Sequence, residues 1–208
     1  MKPRIRNKPG TPSEAKAKAK YENHKFGKCP MLSTYFVYKP GFRPYIMSGN
    51  SLIQDGGSAR NGVANQVQLC PVWLQQAANV QAMTVTVTTG SAGTNCRLGL
   101  YRDASGTPAG GALITESANI SAAGAANKRF VFSSNIRLEA GYVWCAFETQ
   151  DATVAYRGTA NNSLATASPT LGCVYDNGSF GNLTNPCPAV SNQPSMAPIF
   201  SLELVEWL

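Results

Sequence analysis

From Gln66 onward, apolar and polar positions alternate with a period of two, the spacing of half-buried β-strands. The alternation is strict in Met83-Thr84-Val85-Thr86-Val87-Thr88, which predicts a strand with its threonines outward. Val67, Leu69 and Pro71 alternate with Gln66, Gln68 and Cys70. Cys96-Arg97-Leu98-Gly99-Leu100-Tyr101 repeats the pattern and runs into the turn cluster Asp103-Ala104-Ser105-Gly106-Thr107-Pro108. Further strands are predicted over 112–116, 128–132, 142–148, 153–157 and 199–207. That makes about eight strands with no strong helix between them, the signature of an all-β antiparallel sandwich. The strand over 142–148 is apolar on both faces, with Tyr142 and Trp144 on one and Val143, Cys145 and Phe147 on the other. It is expected to lie at the centre of the fold or beneath a partner.

The pattern is different outside this region. Residues 1–12 are Lys, Arg, Pro and Gly, too polar to bury and too rich in proline for regular structure. A short helix is predicted over 14–26, with Ser13 as N-cap, Glu14 in the first turn and Gly27 as the stop. Its Ala-Lys interior has high propensity but only Tyr21 and Phe26 to anchor it, so it orders against a partner. Residues 29–65 read as a connector of β-prone and Pro-punctuated pieces, with a loop over 49–65. A second irregular stretch, about 158–198, is rich in Asn, Ser, Gly and Pro. So long a loop inside a compact domain is expected to be functional or ordered by a neighbouring subunit. Within it, Asp176-Asn177-Gly178 is placed to turn a small hairpin. The organisation is thus a 1–28 arm, a 29–65 connector and a 66–208 sandwich.

Charge sharpens this division. The formal net charge is +7, yet residues 1–28 hold nine Lys/Arg against two Asp/Glu while the rest of the chain holds nine of each. The basicity belongs to the arm alone. No apolar run approaches a membrane span, and the N-terminus lacks the apolar segment of a secretory signal, so synthesis in the cytoplasm is expected. The six cysteines show no zinc spacing; Cys96 and Cys145 are expected as buried fillers, and Cys173 and Cys187 share a loop in which they either stay free or bridge. His24, the one histidine, lies in the arm, away from any nucleophile. Asp103, Glu116, Glu139, Glu148, Asp151 and Asp176 fall on turns and strand ends, where solvated carboxylates are usual. No catalytic residue, metal site or cofactor motif is assigned, and the chain is not expected to be an enzyme.

Four segments carry a family resemblance: Met83-Thr84-Val85-Thr86-Val87-Thr88-Thr89-Gly90, Arg97-Leu98-Gly99-Leu100-Tyr101, Gly106-Thr107-Pro108-Ala109-Gly110 and Leu138-Glu139-Ala140-Gly141-Tyr142-Val143-Trp144. Together with Leu69-Cys70-Pro71-Val72, they resemble the jelly-roll domain of tailed-bacteriophage virion surface proteins, which include capsid decoration, head fibre and tail fibre proteins. The resemblance covers about residues 66–158 and implies a jelly roll, trimers and a place in the virion. In that setting the arm residues Lys2, Arg4, Arg6, Lys8, Lys16, Lys18, Lys20, Tyr21, Lys25, Phe26 and Lys28 would anchor the chain, with residues 1–45 docking on other capsid or tail proteins.

Two further readings are kept. A receptor- or carbohydrate-binding tail-fibre module would present Asn161, Asn162, Tyr175, Asn177, Phe180 and Asn182 to a host glycan, with Tyr175 or Phe180 exposed against sugar rings; the same loop could equally meet a neighbouring subunit. A nucleic-acid-binding protein would use the arm on phosphates, although only Tyr21 and Phe26 could stack bases there.

Overall fold

The computed structural model describes residues 45–47, 58–160, 172–192 and 196–208. The expected helix, the arm residues, Asn161 and Asn162 lie outside them. The described residues are all-β and form two antiparallel sheets of seven strands each. In chain order the strands are β1 (Tyr45–Met47), β2 (Ser58–Asn61), β3 (Gln66–Leu74), β4 (Ala78–Thr89), β5 (Asn95–Arg102), β6 (Leu113–Glu116) and β7 (Ile120–Ser121), then β8 (Ala126–Leu138), β9 (Gly141–Thr149), β10 (Ala155–Ala160), β11 (Cys173–Asp176), β12 (Ser191–Asn192), β13 (Met196–Pro198) and β14 (Phe200–Trp207).

The first sheet runs β1-β14-β4-β10-β13, with β8 also on β4 and β2 also on β10; the second runs β12-β11-β3-β9-β5-β6, with β7 also on β5. Two pieces of the expected connector, β1 and β2, therefore belong to the first sheet, and the sandwich starts before Gln66. β4 takes three partners because it is long: β8 lies along one side, while β14 pairs with its first part and β10 with its last residues. A register shift between Val80 and Ala82 moves the inward side chains from Ala78 and Val80 to Met83, Val85 and Val87. The threonines between them face outward as the alternation predicts.

The interior between the sheets is built from these side chains together with Leu98 and Leu100 of β5, Val143, Cys145 and Phe147 of β9 and Phe200, Leu202 and Leu204 of β14. Phe147 meets Tyr156 of the opposite sheet edge to face at 5.6 Å. On β3 the parity is the reverse of the simplest reading: Cys70, Val72 and Leu74 point into this interior, and Val67 and Leu69 belong to a second buried cluster. The inward parity also buries Gln68, which is hydrogen-bonded to the Tyr156 hydroxyl. A buried amide thus finds its partner across the sandwich.

That second cluster seals the other face of the second sheet. Val67, Leu69, Tyr101, Trp144 and Ala146 on the strands pack with Cys173, Tyr175, Leu183 and Cys187. Residues 176–190 thus act as a strap laid over the sheet, and β9 is apolar on both faces because this chain covers both. The expected hairpin at Asp176-Asn177-Gly178 does not form. β11 pairs with β3 and β12 instead, and Asp176 Oδ1 accepts the Gly178 N–H at 2.8 Å.

Candidate functional site

The strap is held by polar bonds as well as packing. Tyr101 donates its hydroxyl proton to the Thr184 carbonyl at 2.8 Å, which leaves Tyr175 as the donor in the 2.8 Å contact between the two hydroxyls. Burial pushes the Tyr175 phenol up to about 12, and that of Tyr101 further still. Gly110 N–H donates to the Cys187 carbonyl at 2.8 Å, and Cys187 N–H to the Gly111 carbonyl at 2.9 Å. Gly99 lets the strap sit close: a Cβ there would run into Leu183 Cδ1.

Asn177 is the hub of the strap's turn. Its Nδ2 donates to Glu148 Oε1 at 3.1 Å, to the Asn182 carbonyl at 3.2 Å and to the Ser179 carbonyl at 3.4 Å, while its Oδ1 accepts from Thr184 Oγ1 at 2.8 Å. Nearby, Arg97 bonds Glu116 at 3.2 Å and Asn119 at 2.8 Å, and Glu116 accepts the Leu183 N–H at 2.8 Å. Glu148 is not the solvated carboxylate its position near a strand end predicts. It is 0% exposed, and its Oε2 has no hydrogen-bond partner among the described residues. Burial holds its acidity weak and raises the pKa, opposed by Asn177, the Gly181 backbone and Arg97. A carboxylate so enclosed cannot reach a substrate. Its chemistry serves the attachment of the strap.

The loop residues named from sequence therefore separate. Tyr175, expected to be exposed, is only 4% exposed and its hydroxyl is committed to Tyr101, because the strap turns the ring into the sheet. Asn177 is a fastener, Phe180 is half-buried and Asn182 is exposed. Cys173 and Cys187 are both buried free thiols, raised by burial, in the case of Cys187 to about 12. Replacing Tyr175 with phenylalanine removes one buried donor without changing shape. It is expected to cost about 1 kcal/mol in urea unfolding, and no change would show that the hydroxyl pair carries no stability.

At the end of the sandwich where β8 turns into β9, an open cleft of about 250 Å³ lies at the mouth of the interior, with Arg102, Ile114, Leu138, Val143, Asp103 and Tyr142 among its lining residues. Trp73 and Tyr142 are register partners on β3 and β9, and their rings meet edge to face at 4.7 Å. Asp103 is fixed by two donors, Trp144 Nε1 and the Gly106 N–H, each at 2.8 Å. The alternation puts Tyr142 on one face with Trp144 and the turn cluster holds Asp103, but only the register, with Tyr101 and Arg102 opposite Trp144 and Val143, sets Asp103 across from Tyr142 and leaves Arg102 on the face of Val143.

No family model and no curated protein matches this chain.

Proposed function

We propose that this chain is a non-enzymatic structural protein of a bacteriophage virion, a trimeric jelly roll acting as a capsid decoration or short fibre protein and tethered by its N-terminal arm. The observation that carries this reading is how the polar side chains are spent. Glu148, Arg97, Glu116, Asn177 and the Tyr101–Tyr175 pair all bind the strap to the sheet. A sandwich closed over by its own chain on a second face suits a rigid outer body. The positive charge, nine Lys/Arg against two Asp/Glu, is gathered in residues 1–28, where it suits docking on an acidic protein surface. The long strand β8 lies at the side of the first sheet, pairs only with β4 among the described strands and leaves Val131 54% exposed. Such an edge favours contact with further copies of the chain.

Deleting residues 1–28 is expected to leave a soluble folded body, trimeric by sedimentation, that no longer joins particles during assembly. Normal incorporation of the truncated protein would overturn the tether, and a monomeric body would overturn the trimer. If the arm instead binds nucleic acid, the full chain will retain DNA with an affinity that falls steeply with salt, a slope of about −0.9 per phosphate contact in a plot of log K against log salt.

A further inference from the structure

We propose that Asn177 is a deamidation site that works as a one-way latch for the strap: the residue is protected while the strap is seated, and once it is converted the strap cannot return. Asn177-Gly178 is one of two Asn-Gly pairs in the chain, the other being Asn61-Gly62. An asparagine before glycine is labile because no side chain shields the next backbone nitrogen, which can attack the carboxamide. Here the turn itself requires the glycine, since Gly178 sits at φ +72°.

The reaction needs no partner but water. The Gly178 nitrogen bonds to Asn177 Cγ, its proton and the Nδ2 group leave together as ammonia, and water opens the resulting five-membered imide to aspartate or isoaspartate. With the strap seated, both nitrogens are tied down. The Gly178 N–H is donated to Asp176 Oδ1 at 2.8 Å, so this nitrogen would lose its proton against a carboxylate. Nδ2 donates to Glu148 Oε1 at 3.1 Å and to the Asn182 and Ser179 carbonyls at 3.2 and 3.4 Å, while Oδ1 accepts from Thr184 Oγ1 at 2.8 Å. Expelling Nδ2 breaks its bonds to all three acceptors. Conversion is therefore confined to the fraction of molecules in which the strap's turn has lifted.

Conversion reverses the chemistry of the hub. The donor nitrogen becomes an oxygen that faces three acceptors, one of them on Glu148, which is 0% exposed. A second carboxyl group then meets one that is already out of water, and like charges there oppose reseating. Isoaspartate also lengthens the main chain by one carbon ahead of Leu183 and Cys187, the buried anchors of the strap. Either product holds the turn off the sheet and bares part of the apolar face built from Val67, Leu69, Tyr101, Trp144 and Ala146.

The test is ageing of the full-length protein in mildly alkaline buffer, with conversion at each asparagine followed by peptide mapping. Asn177 is expected to convert at least about tenfold more slowly than in a synthetic peptide of residues 174–181, a tenfold protection meaning about 1.4 kcal/mol for strap opening. Leu183→Ala, which loosens the strap without removing a bond to Asn177, should speed conversion by about tenfold or more. Thr184 is exposed, so Thr184→Val keeps the fold; it removes only the hydroxyl bond and should speed conversion by about fivefold. Asn61 should convert at one rate in all three proteins, because the opening is local. The converted protein and Asn177→Asp should both lose amide protection over residues 176–190 while β4 and β14 keep theirs. Conversion in the natural protein at the peptide's rate, no acceleration in either variant, equal acceleration at Asn61, or a strap still protected after conversion would each overturn the proposal.

Discussion

Replacing Trp144 with alanine is expected to lower stability by about 3–5 kcal/mol, a large share of the roughly 5–15 kcal/mol that holds a domain folded. Trp144 is 2% exposed and lies under the strap with Tyr101, Leu183 and Cys187. Its removal leaves a cavity that β9 cannot close, since the opposite face of that strand is packed into the sandwich interior. It also takes from Asp103 one of the two donors that fix it. Urea unfolding gives the size of the loss, and hydrogen exchange gives its place. The amides of residues 176–190 should lose protection before those of β4 and β14. A loss under about 1 kcal/mol, or uniform deprotection of the whole sandwich, would show that the strap is not seated on this ring.

Glu148 should make the protein less stable as pH rises. Its carboxyl is raised in the folded state, principally by burial, so the native protein holds this proton more tightly than the unfolded chain does. Below the ordinary carboxylate pKa of the unfolded state there is no penalty. As pH climbs from that value through the higher folded value, stability falls by up to about 1.4 kcal/mol per unit of separation, and above the folded value the loss is complete. Glu148→Gln keeps an oxygen for the Asn177 amide and removes the titration. Measured between about pH 4 and pH 8, stability of the Gln variant relative to the natural protein should improve with pH. A difference that stays constant, or that runs the other way, would mean that Arg97 and the strap's donors outweigh burial.

Much of the sandwich was legible because period-two alternation is a local record of which side of a strand meets an interior. Met83 to Thr88 and Cys96 to Tyr101 show it with little ambiguity, and both are strands with the expected faces inward. β3 was harder for a physical reason. Val67 and Leu69 are as apolar as Val72 and Leu74, and when both faces of a strand are buried the alternation no longer says which interior is which. The double-sided apolarity of β9 was equally visible, but the cover could have come from a partner or from the same chain. The strap itself has almost no apolar pattern. Leu183 and Cys187 are its buried anchors between stretches of Asn, Ser, Gly and Pro, and its order comes from bonds to residues far away in the chain. Tyr175 shows the consequence: an aromatic in a polar loop reads as exposed, yet pairing of β11 with β3 turns it inward toward Tyr101.

By itself the sequence determined the class of the fold, the position of most strands and the segregation of the +7 charge into residues 1–28, since all of these follow from residue type and local spacing. Only the tertiary structure decided that a polar stretch is the lid of a second core, that Glu148 is buried, and that Tyr142, Arg102 and Asp103 border one cleft. Those outcomes depend on register between strands and on contacts across long separations in the chain, which no local pattern of side chains encodes.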